Sequence, residues 1–470
     1  MSFFEKATPE SCGVSSENII NFVEKLCQVP ETLETHSFLL IRHGKLLCEG
    51  YFAPYNEDTE HSLFSVSKSF TSLAIGYLVE EGKISVDDYI YTYFPELITD
   101  DINKENLKIK IHNLLSMTFG QQGGAVHEGQ KRSDAMLYDF FYRAKNIECG
   151  KEFRYDSYGT YMLSALVKKL TGMNVVEFLM PKLFEPLGIK QPYYLKDELG
   201  INIGYTGMRM RLRDLAKVGS VYLNGGKWEG KQIAPKEWIE LATKKHIDIA
   251  SSNNGPDWAQ GYCYQLWRGR YNTARLCGAN GQMCVIMPDY DAIFVVNSGY
   301  DNTHLHYVLD SFYENIMLNM KPEPLKEDKE NFEKLEKVLA NLKTTFKFSD
   351  MSPIAEIING KTYEIPEKGG YKAVKFEFDK DEVNVTLLSD QGDFNFTAGF
   401  TKPVWGKTVG THFANLEQSD NSETVATAAW SSKKDLEITL RLFGTPAIAK
   451  IIADFGSEPK VELVTTRCKF

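Results

Sequence analysis

The apolar positions of this 470-residue chain follow two different periods. Up to about residue 320 most runs are helical. Ile19, Ile20, Phe22, Val23 and Leu26 share one face, which predicts an amphipathic helix over residues 15–26 capped by Ser15 or Ser16. Residues 37–42 and 46–51, joined at His43-Gly44-Lys45, predict two paired strands. A helix-periodic run then starts at Ser65 and ends at Gly82, which suits a helix C-terminus. Residues 109–120 predict a short helix running into a loop. Further helices are expected to end at Gly172, at Gly188 and at Asn224, the last one capped by Arg213-Asp214, with a closing helix over residues 306–317. Strands are expected around 258–267 and 276–298, the latter including a hairpin turning at Asp289-Tyr290-Asp291.

Beyond a charged stretch, residues 321–330, and a short helix over 331–342, the period switches to two. Val374, Phe376 and Phe378 alternate with charged residues, as do Val383, Val385 and Leu387. Leu436, Ile438, Leu440 and Leu442 alternate with polar ones. This predicts a small antiparallel β domain with one buried face. A chain this long exceeds the usual single-core limit of about 250–300 residues. The expected organisation is an α/β domain over 1–320, a linker with a short helix over 321–345, and an all-β domain over 346–470.

Composition narrows the chemistry. A 43% hydrophobic and 12% aromatic content supplies a core, and the net charge of −10 argues against a nucleic-acid or anionic-membrane partner. The N-terminus lacks a basic segment followed by an apolar one, and no run approaches a membrane span, so a cytoplasmic location is expected. Eight cysteines without CxxC spacing, and nine histidines without HExxH, predict reduced thiols and neither metal nor cofactor.

The candidate chemistry centres on Phe64-Ser65-Val66-Ser67-Lys68. If Ser65 opens the helix, Lys68 lies three residues on over the same face. An amine beside a hydroxyl at a helix N-terminus can take the proton of an attacking serine, while the free N–H groups favour developing negative charge. A lysine with its ordinary pKa would be protonated, so this role needs partial desolvation or a nearby cation. The same Ser-x-x-Lys spacing recurs at Ser431–Lys434 and Ser457–Lys460, where nothing catalytic is expected; context has to decide. The plainer reading of Ser65 is a helix cap beside a solvated lysine. Tyr155, just ahead of a helix, is either a packed aromatic or a phenol sharing protons with Lys68. The glycine-rich loop 120–129 lacks the lysine of a phosphate loop and reads as a cleft rim. Cys277 reads as a small strand residue, and His61, His112 and His127 as packed or capping histidines.

Six motifs in order, Phe64–Lys68, Ile111–Thr118, Tyr155-Asp156-Ser157, Phe184–Gly188, Asp214-Leu215 and Gly278–Gln282, resemble the β-lactamase-related serine hydrolases. That family includes class C β-lactamases, D-alanyl-D-alanine carboxypeptidases, and an esterase and 6-aminohexanoate-dimer hydrolase branch. The resemblance covers roughly residues 10–320. The C-terminal part, through Ala426–Trp430 and Thr445-Pro446, resembles the lipocalin-like domains that follow some of these enzymes. The resemblance implies a β-lactamase/transpeptidase-like domain, an antiparallel sheet flanked by helices plus a helical subdomain, with the site between them. It implies Ser65 as nucleophile, Lys68 as proton acceptor and Tyr155 as acid/base. The backbone N–H groups of Ser65 and Ala279 would form the oxyanion hole, supported by Ser157, Gly278, Asn280 and Gly281.

Two positions depart from the family pattern. Ser157 stands where class C enzymes carry Asn; its hydroxyl could bond Lys68 but offers less to a substrate amide. Leu276-Cys277-Gly278 replaces the usual Lys or His, then Thr or Ser, then Gly, which removes a cation for a substrate carboxylate. Small esters or amides, cleaved through an acyl-Ser65 intermediate, are therefore the expected substrates. A D-amino-acid peptidase or penicillin-binding-type activity, and a non-catalytic binding protein on the same fold, are the alternatives.

Overall fold

The first predicted helix forms as α1, Ser16–Cys27, and buries Ile19, Ile20, Phe22, Val23 and Leu26. Its N-terminus is satisfied differently from the sequence expectation. The Ser15 side chain makes no cap bond; instead buried Glu10 accepts the Ser16 N–H at 2.7 Å and the Ser16 hydroxyl at 3.1 Å. A carboxylate there also suits the positive end of the helix. The structure, a computed structural model, describes residues 4–29, 33–121, 135–249, 255–300, 304–390, 392–408 and 422–465. Most of the glycine-rich loop, with His127, lies outside the described residues.

Two compact units divide the chain. The first comprises Met1–Pro30, Thr35–Phe52 and Asn56–Leu342, the second Glu31–Glu34, Ala53–Tyr55 and Lys343–Phe470. In the first, β1 (Thr35–Arg42) and β2 (Lys45–Tyr51) form the predicted pair. They join β5 (Trp267–Arg268), β6 (Ala274–Gly278), β7 (Gln282–Met287) and β8 (Ala292–Ser298) in a sheet of order β2-β1-β8-β7-β6-β5. Every neighbouring pair is antiparallel. β1, β7 and β8 are buried along their whole length. Both faces are covered, which is why these strands read as continuous apolar runs rather than alternating ones.

Helix α5 (Leu212–Leu223) covers one face against β7 and β8. Gly219 permits this approach, since a Cβ there would lie 2.4 Å from Cys284 Sγ. On the same sheet, Phe22 of α1 meets Phe38 edge-on at 5.5 Å, and Phe312 of α6 (Leu305–Asn315) stacks on Phe294 at 4.0 Å. A second, smaller sheet contains β3 (Glu60–Ser62) paired to β4 (Met208–Arg211). It leads the chain into α2 (Ser67–Glu80), which packs on α4 (Ser157–Thr171), itself next to α3 (Ile111–Leu115).

α2 is buried on every side from Ser67 to Leu78. Its polar residues are paired rather than exposed: Ser69, Ser72 and Thr71 donate to the carbonyls of Gln265, Tyr264 and Gly204 at 2.8–2.9 Å. Gly82 ends the helix with φ +66°. Its N–H reaches Val79 O and that of Lys83 reaches Leu78 O, the paired bonds of a Schellman turn.

Three expectations are corrected. α5 starts before Arg213-Asp214, at Leu212, and Asp214 instead bonds Arg211 and Lys217 at 2.8 and 2.9 Å. The helix expected to end at Gly188 is regular only over Val175–Leu179 and widens into a π-turn at Met180–Phe184, where Pro181 has no N–H to give. Residues 258–267 are mostly irregular, with a 3-10 turn at Pro256–Trp258 and strand only from Trp267.

The charged stretch leads into α7, Lys329–Ala340, which belongs to the first unit and buries Leu335. The second unit contains a nine-stranded sheet. Val374, Phe376, Val383, Val385, Leu387, Leu436, Ile438 and Leu440 fill its core, as their alternation predicts. Its pairings are antiparallel except one, Gly399 with Thr427, and its first strand, Thr362–Lys368, lies beside its last, Lys460–Thr465. The sheet thus curls toward a barrel.

Candidate active site

Ser65 does not begin the α-helix. It lies in a 3-10 turn, Phe64–Val66, that runs directly into α2. Phe64 just before it is held at φ +48°, a left-handed conformation costly for a bulky side chain. The tighter turn still brings Lys68 back over Ser65: the Lys68 amine lies 2.9 Å from Ser65 Oγ and donates to it. Lys68 is 1% exposed. Its amine also donates to the Tyr205 carbonyl at 2.9 Å and sits 4.9 Å from the Tyr155 ring centre and 5.4 Å from that of Tyr205. Both other Ser-x-x-Lys matches are surface features; Ser431, Lys434, Ser457 and Lys460 are all exposed.

Tyr155 is held next to Lys68 by an aromatic cluster. Its ring stacks on Trp267 at 5.8 Å and meets Tyr262 edge-on at 6.2 Å. The residue stays 40% exposed. Burial of its phenol nonetheless pushes the pKa well up, against a hydrogen-bonding interaction with Ser65 that pulls it down and a further rise from nearby Cys277. The phenol is protonated at neutral pH.

The end of β6 closes the other side. A Cβ on Gly278 would come within 2.3 Å of Leu63 O, so only glycine lets this strand reach the turn bearing Ser65. The N–H groups of Ser65 and Ala279 have no hydrogen-bond partner among the described residues. Asn280, at φ +61°, donates to Tyr300 O at 2.9 Å and accepts the Tyr300 N–H at 3.1 Å, which fixes the turn over Ala279–Gly281. Gly281 at φ +85° has Ser298 Oγ where a Cβ would be. Cys277 lies on β6, nearly buried. Burial raises its thiol pKa, against a lowering by Arg275.

Among the described residues, Ser157 makes no bond to Lys68. It is the first residue of α4, behind the cap Asp156, and its hydroxyl makes no hydrogen bond among the described residues. His61 is a packed histidine. Its Nδ1 faces Ser62 O at 2.9 Å and must carry the proton, so Nε2 accepts from His36 Nδ1 at 2.8 Å. His112 is committed to the Tyr264 hydroxyl at 2.6 Å.

Two positioning elements were missed in the sequence. One is the loop around Tyr205, flanked by Gly204 and Gly207 at φ +81° and +91°. The other is Gln265, left-handed at φ +66° and 3% exposed. Its amide donates to Leu114 O and Leu115 O and accepts from Thr160, while its carbonyl takes the Ser69 hydroxyl, tying α2, α3 and α4 together. The repeated glycines of Gly204-Tyr205-Thr206-Gly207 were the available clue to the first.

A hydroxyl, a buried amine and an aromatic phenol come together on this α/β scaffold, which has a β-lactamase/transpeptidase-like fold. The chain belongs to the Beta-lactamase family, which it matches over residues 30–308. It is 26% identical over 327 residues to the 6-aminohexanoate-dimer hydrolase of Paenarthrobacter ureafaciens, a match spanning 64% of this chain and 83% of the relative. Among solved structures it is similar to a putative 6-aminohexanoate-dimer hydrolase from Bacillus anthracis (TM-score 0.53, 21% identity, 67% and 87% of the two chains). It is also similar to the octameric penicillin-binding protein homologue from Pyrococcus abyssi (TM-score 0.50, 17% identity, 95% and 99%).

Proposed function

We propose that the protein is a serine hydrolase that cleaves small esters or amides through an acyl-Ser65 intermediate. The observation that carries this reading is the 2.9 Å contact between Ser65 Oγ and the buried Lys68 amine. In its neutral form that amine takes the Ser65 proton as Oγ attacks the substrate carbonyl. The oxyanion that forms is met by the Ser65 and Ala279 N–H groups, each such donor being typically worth about 3 kcal/mol. Tyr155 supplies a proton to the leaving alcohol or amine, because burial keeps its phenol protonated. The Tyr155 phenolate left behind takes a proton from a water as that water attacks the acyl group, and the Lys68 ammonium returns its proton to the departing Ser65 Oγ, restoring all three groups. A phenol with a raised pKa is a poor base at neutral pH, which favours Lys68 over Tyr155 for the first proton transfer.

Substrate charge follows from β6. Cys277 offers no cation for a carboxylate, and nearby Arg275 is fully buried against Asp257 at 3.3 Å. The named activity of the Paenarthrobacter relative, hydrolysis of a 6-aminohexanoate dimer, supports an amide or ester bond as the target. Hydrolysis of a panel of short neutral esters, linear amides and β-lactams by wild type and Ser65→Ala tests the reading. Ester or linear-amide turnover lost in the variant is expected; turnover of β-lactams alone, or activity surviving Ser65→Ala, overturns it.

A further inference from the structure

The mechanism makes no use of the aromatic cluster behind Tyr155. Trp267 lies nearly parallel to Tyr155, with ring centres 5.8 Å apart and planes 21° off. It is braced by Tyr262 at 5.1 Å and 87°, and by Phe153 at 5.6 Å and 70°. Phe153 and Tyr262 also contact each other, at 5.0 Å. The group is therefore rigid, a preorganised surface rather than a loose rim. Tyr262 is buried, whereas Trp267 is half-buried and Tyr155 exposes 40% of its surface. The Lys68 amine lies over the Tyr155 ring, 4.9 Å from its centre, and the neighbouring guanidinium groups have partners of their own, Arg154 donating to Asn146 at 3.3 Å. Arg268, the residue after Trp267, donates to Asn272 and to Thr243 O, and Arg275, paired across the strands with Trp267, is buried on Asp257.

Position gives this surface a specific role. On the proposed reading, which this inference rests on, the leaving heteroatom comes within hydrogen-bond reach of the Tyr155 hydroxyl, about 2.6–3.2 Å. Whatever that heteroatom carries must then run alongside Tyr155 and its stacked neighbour. We propose that Trp267 is a specificity-determining residue that selects the leaving group, and that the preferred substrates are esters or amides of alcohols or amines bearing a flat, uncharged aryl ring. Such a ring meets the exposed part of the Tyr155–Trp267 pair, with the offset and edge-on geometries that aromatic pairs favour. A charged leaving group finds no counter-ion among the residues of this cluster. The acyl portion, held at the N–H groups of Ser65 and Ala279, is read elsewhere.

The test compares kcat/KM for matched substrates in wild type, Trp267→Ala and the bulkier Trp267→Leu. Benzyl acetate and ethyl acetate share an acyl group and release alcohols of similar acidity, so their ratio reports leaving-group recognition. Ethyl phenylacetate against ethyl acetate moves the same ring to the acyl side. The expected result is a wild-type preference for the benzyl ester that shrinks roughly three- to tenfold in both variants, as loss of an aromatic contact allows. The acyl-side ratio is expected to stay constant. Because ratios are read, any general loss of activity cancels. A benzyl preference that survives both substitutions, or a collapse of the acyl-side ratio instead, overturns the inference. Fluorophosphonate labelling of the same preparations separates the two possible failures. A labelled Ser65 without aryl preference sinks only this inference; an unlabelled Ser65 sinks the hydrolase reading as well.

Discussion

The Lys68 amine donates to the backbone carbonyl of Tyr205 at 2.9 Å, a contact between residues 137 positions apart in sequence. That bond, with the one to Ser65, decides where the amine points. The carbonyl is aimed by two left-handed glycines, and a Cβ at Gly204 would lie 2.6 Å from Ser164 Cβ. Gly204→Ala is expected to destabilise the protein by about 1–3 kcal/mol, in thermal melts, from backbone strain and crowding. It should also slow covalent labelling of Ser65 by a fluorophosphonate. Unchanged labelling would mean that Tyr205 does not position the amine.

Lys68→Met keeps the stem and removes the amine. Activity should fall roughly 10²- to 10⁴-fold, the usual contribution of a general base. Stability should change by no more than about 1–2 kcal/mol, because relief from burying the amine offsets the loss of its bonds to Ser65 Oγ and Tyr205 O. Melting curves and ester kinetics on the same sample check both halves, and a variant that loses fold and activity together contradicts the assignment.

Gln265→Leu removes an amide that joins α3 and α4. The buried Thr160 hydroxyl loses its described acceptor, while Leu114 O keeps the Met117 N–H and Leu115 O keeps the residue-265 N–H. A loss of about 1–3 kcal/mol in denaturant titration is expected, the usual cost of one buried group left unpaired. A change below about 1 kcal/mol would show that water or a neighbour satisfies that hydroxyl.

Stability should decline on both sides of neutral pH. Burial raises the phenol pKa of Tyr155, Tyr222, Tyr262 and Tyr300, among others. The unfolded chain therefore ionises its tyrosines first, near pH 10, and stability present below that pH is lost above it. His61, His112 and His246 are shifted the other way by burial, His61 furthest. Their contribution is present above about pH 6.5 and drains away below it, because the unfolded state binds those protons more readily. Melting temperature across pH 5–11 checks the shape. His61→Phe should flatten the acid limb; an unchanged limb would place the titration elsewhere.

Much of this arrangement was legible in the sequence, for definable reasons. Ser65 and Lys68 are three residues apart, and a single tight turn brings them together whether it is α or 3-10. The β unit was legible because one buried face forces a period of two on strands such as Tyr371–Asp379. Tyr205 was invisible because it acts through a backbone carbonyl that any residue has. Gln265 and Trp267 were hidden in a stretch whose aromatics mimic one long strand; Tyr262 instead packs on Tyr155 from an irregular segment and Trp267 from the first residue of the short β5. Glu10 caps α1 from six residues upstream, beyond the reach of local capping rules. The role expected of Ser157 came from the family pattern alone, and its hydroxyl takes no partner among the described residues.

Intact-mass spectrometry after fluorophosphonate treatment, on wild type and Ser65→Ala side by side, tests the central claim most directly. One adduct on wild type, absent from the variant, is the predicted result, and makes Ser65 an activated nucleophile. No adduct on either protein would contradict the hydrolase reading, and an adduct on both would place the nucleophile at another residue.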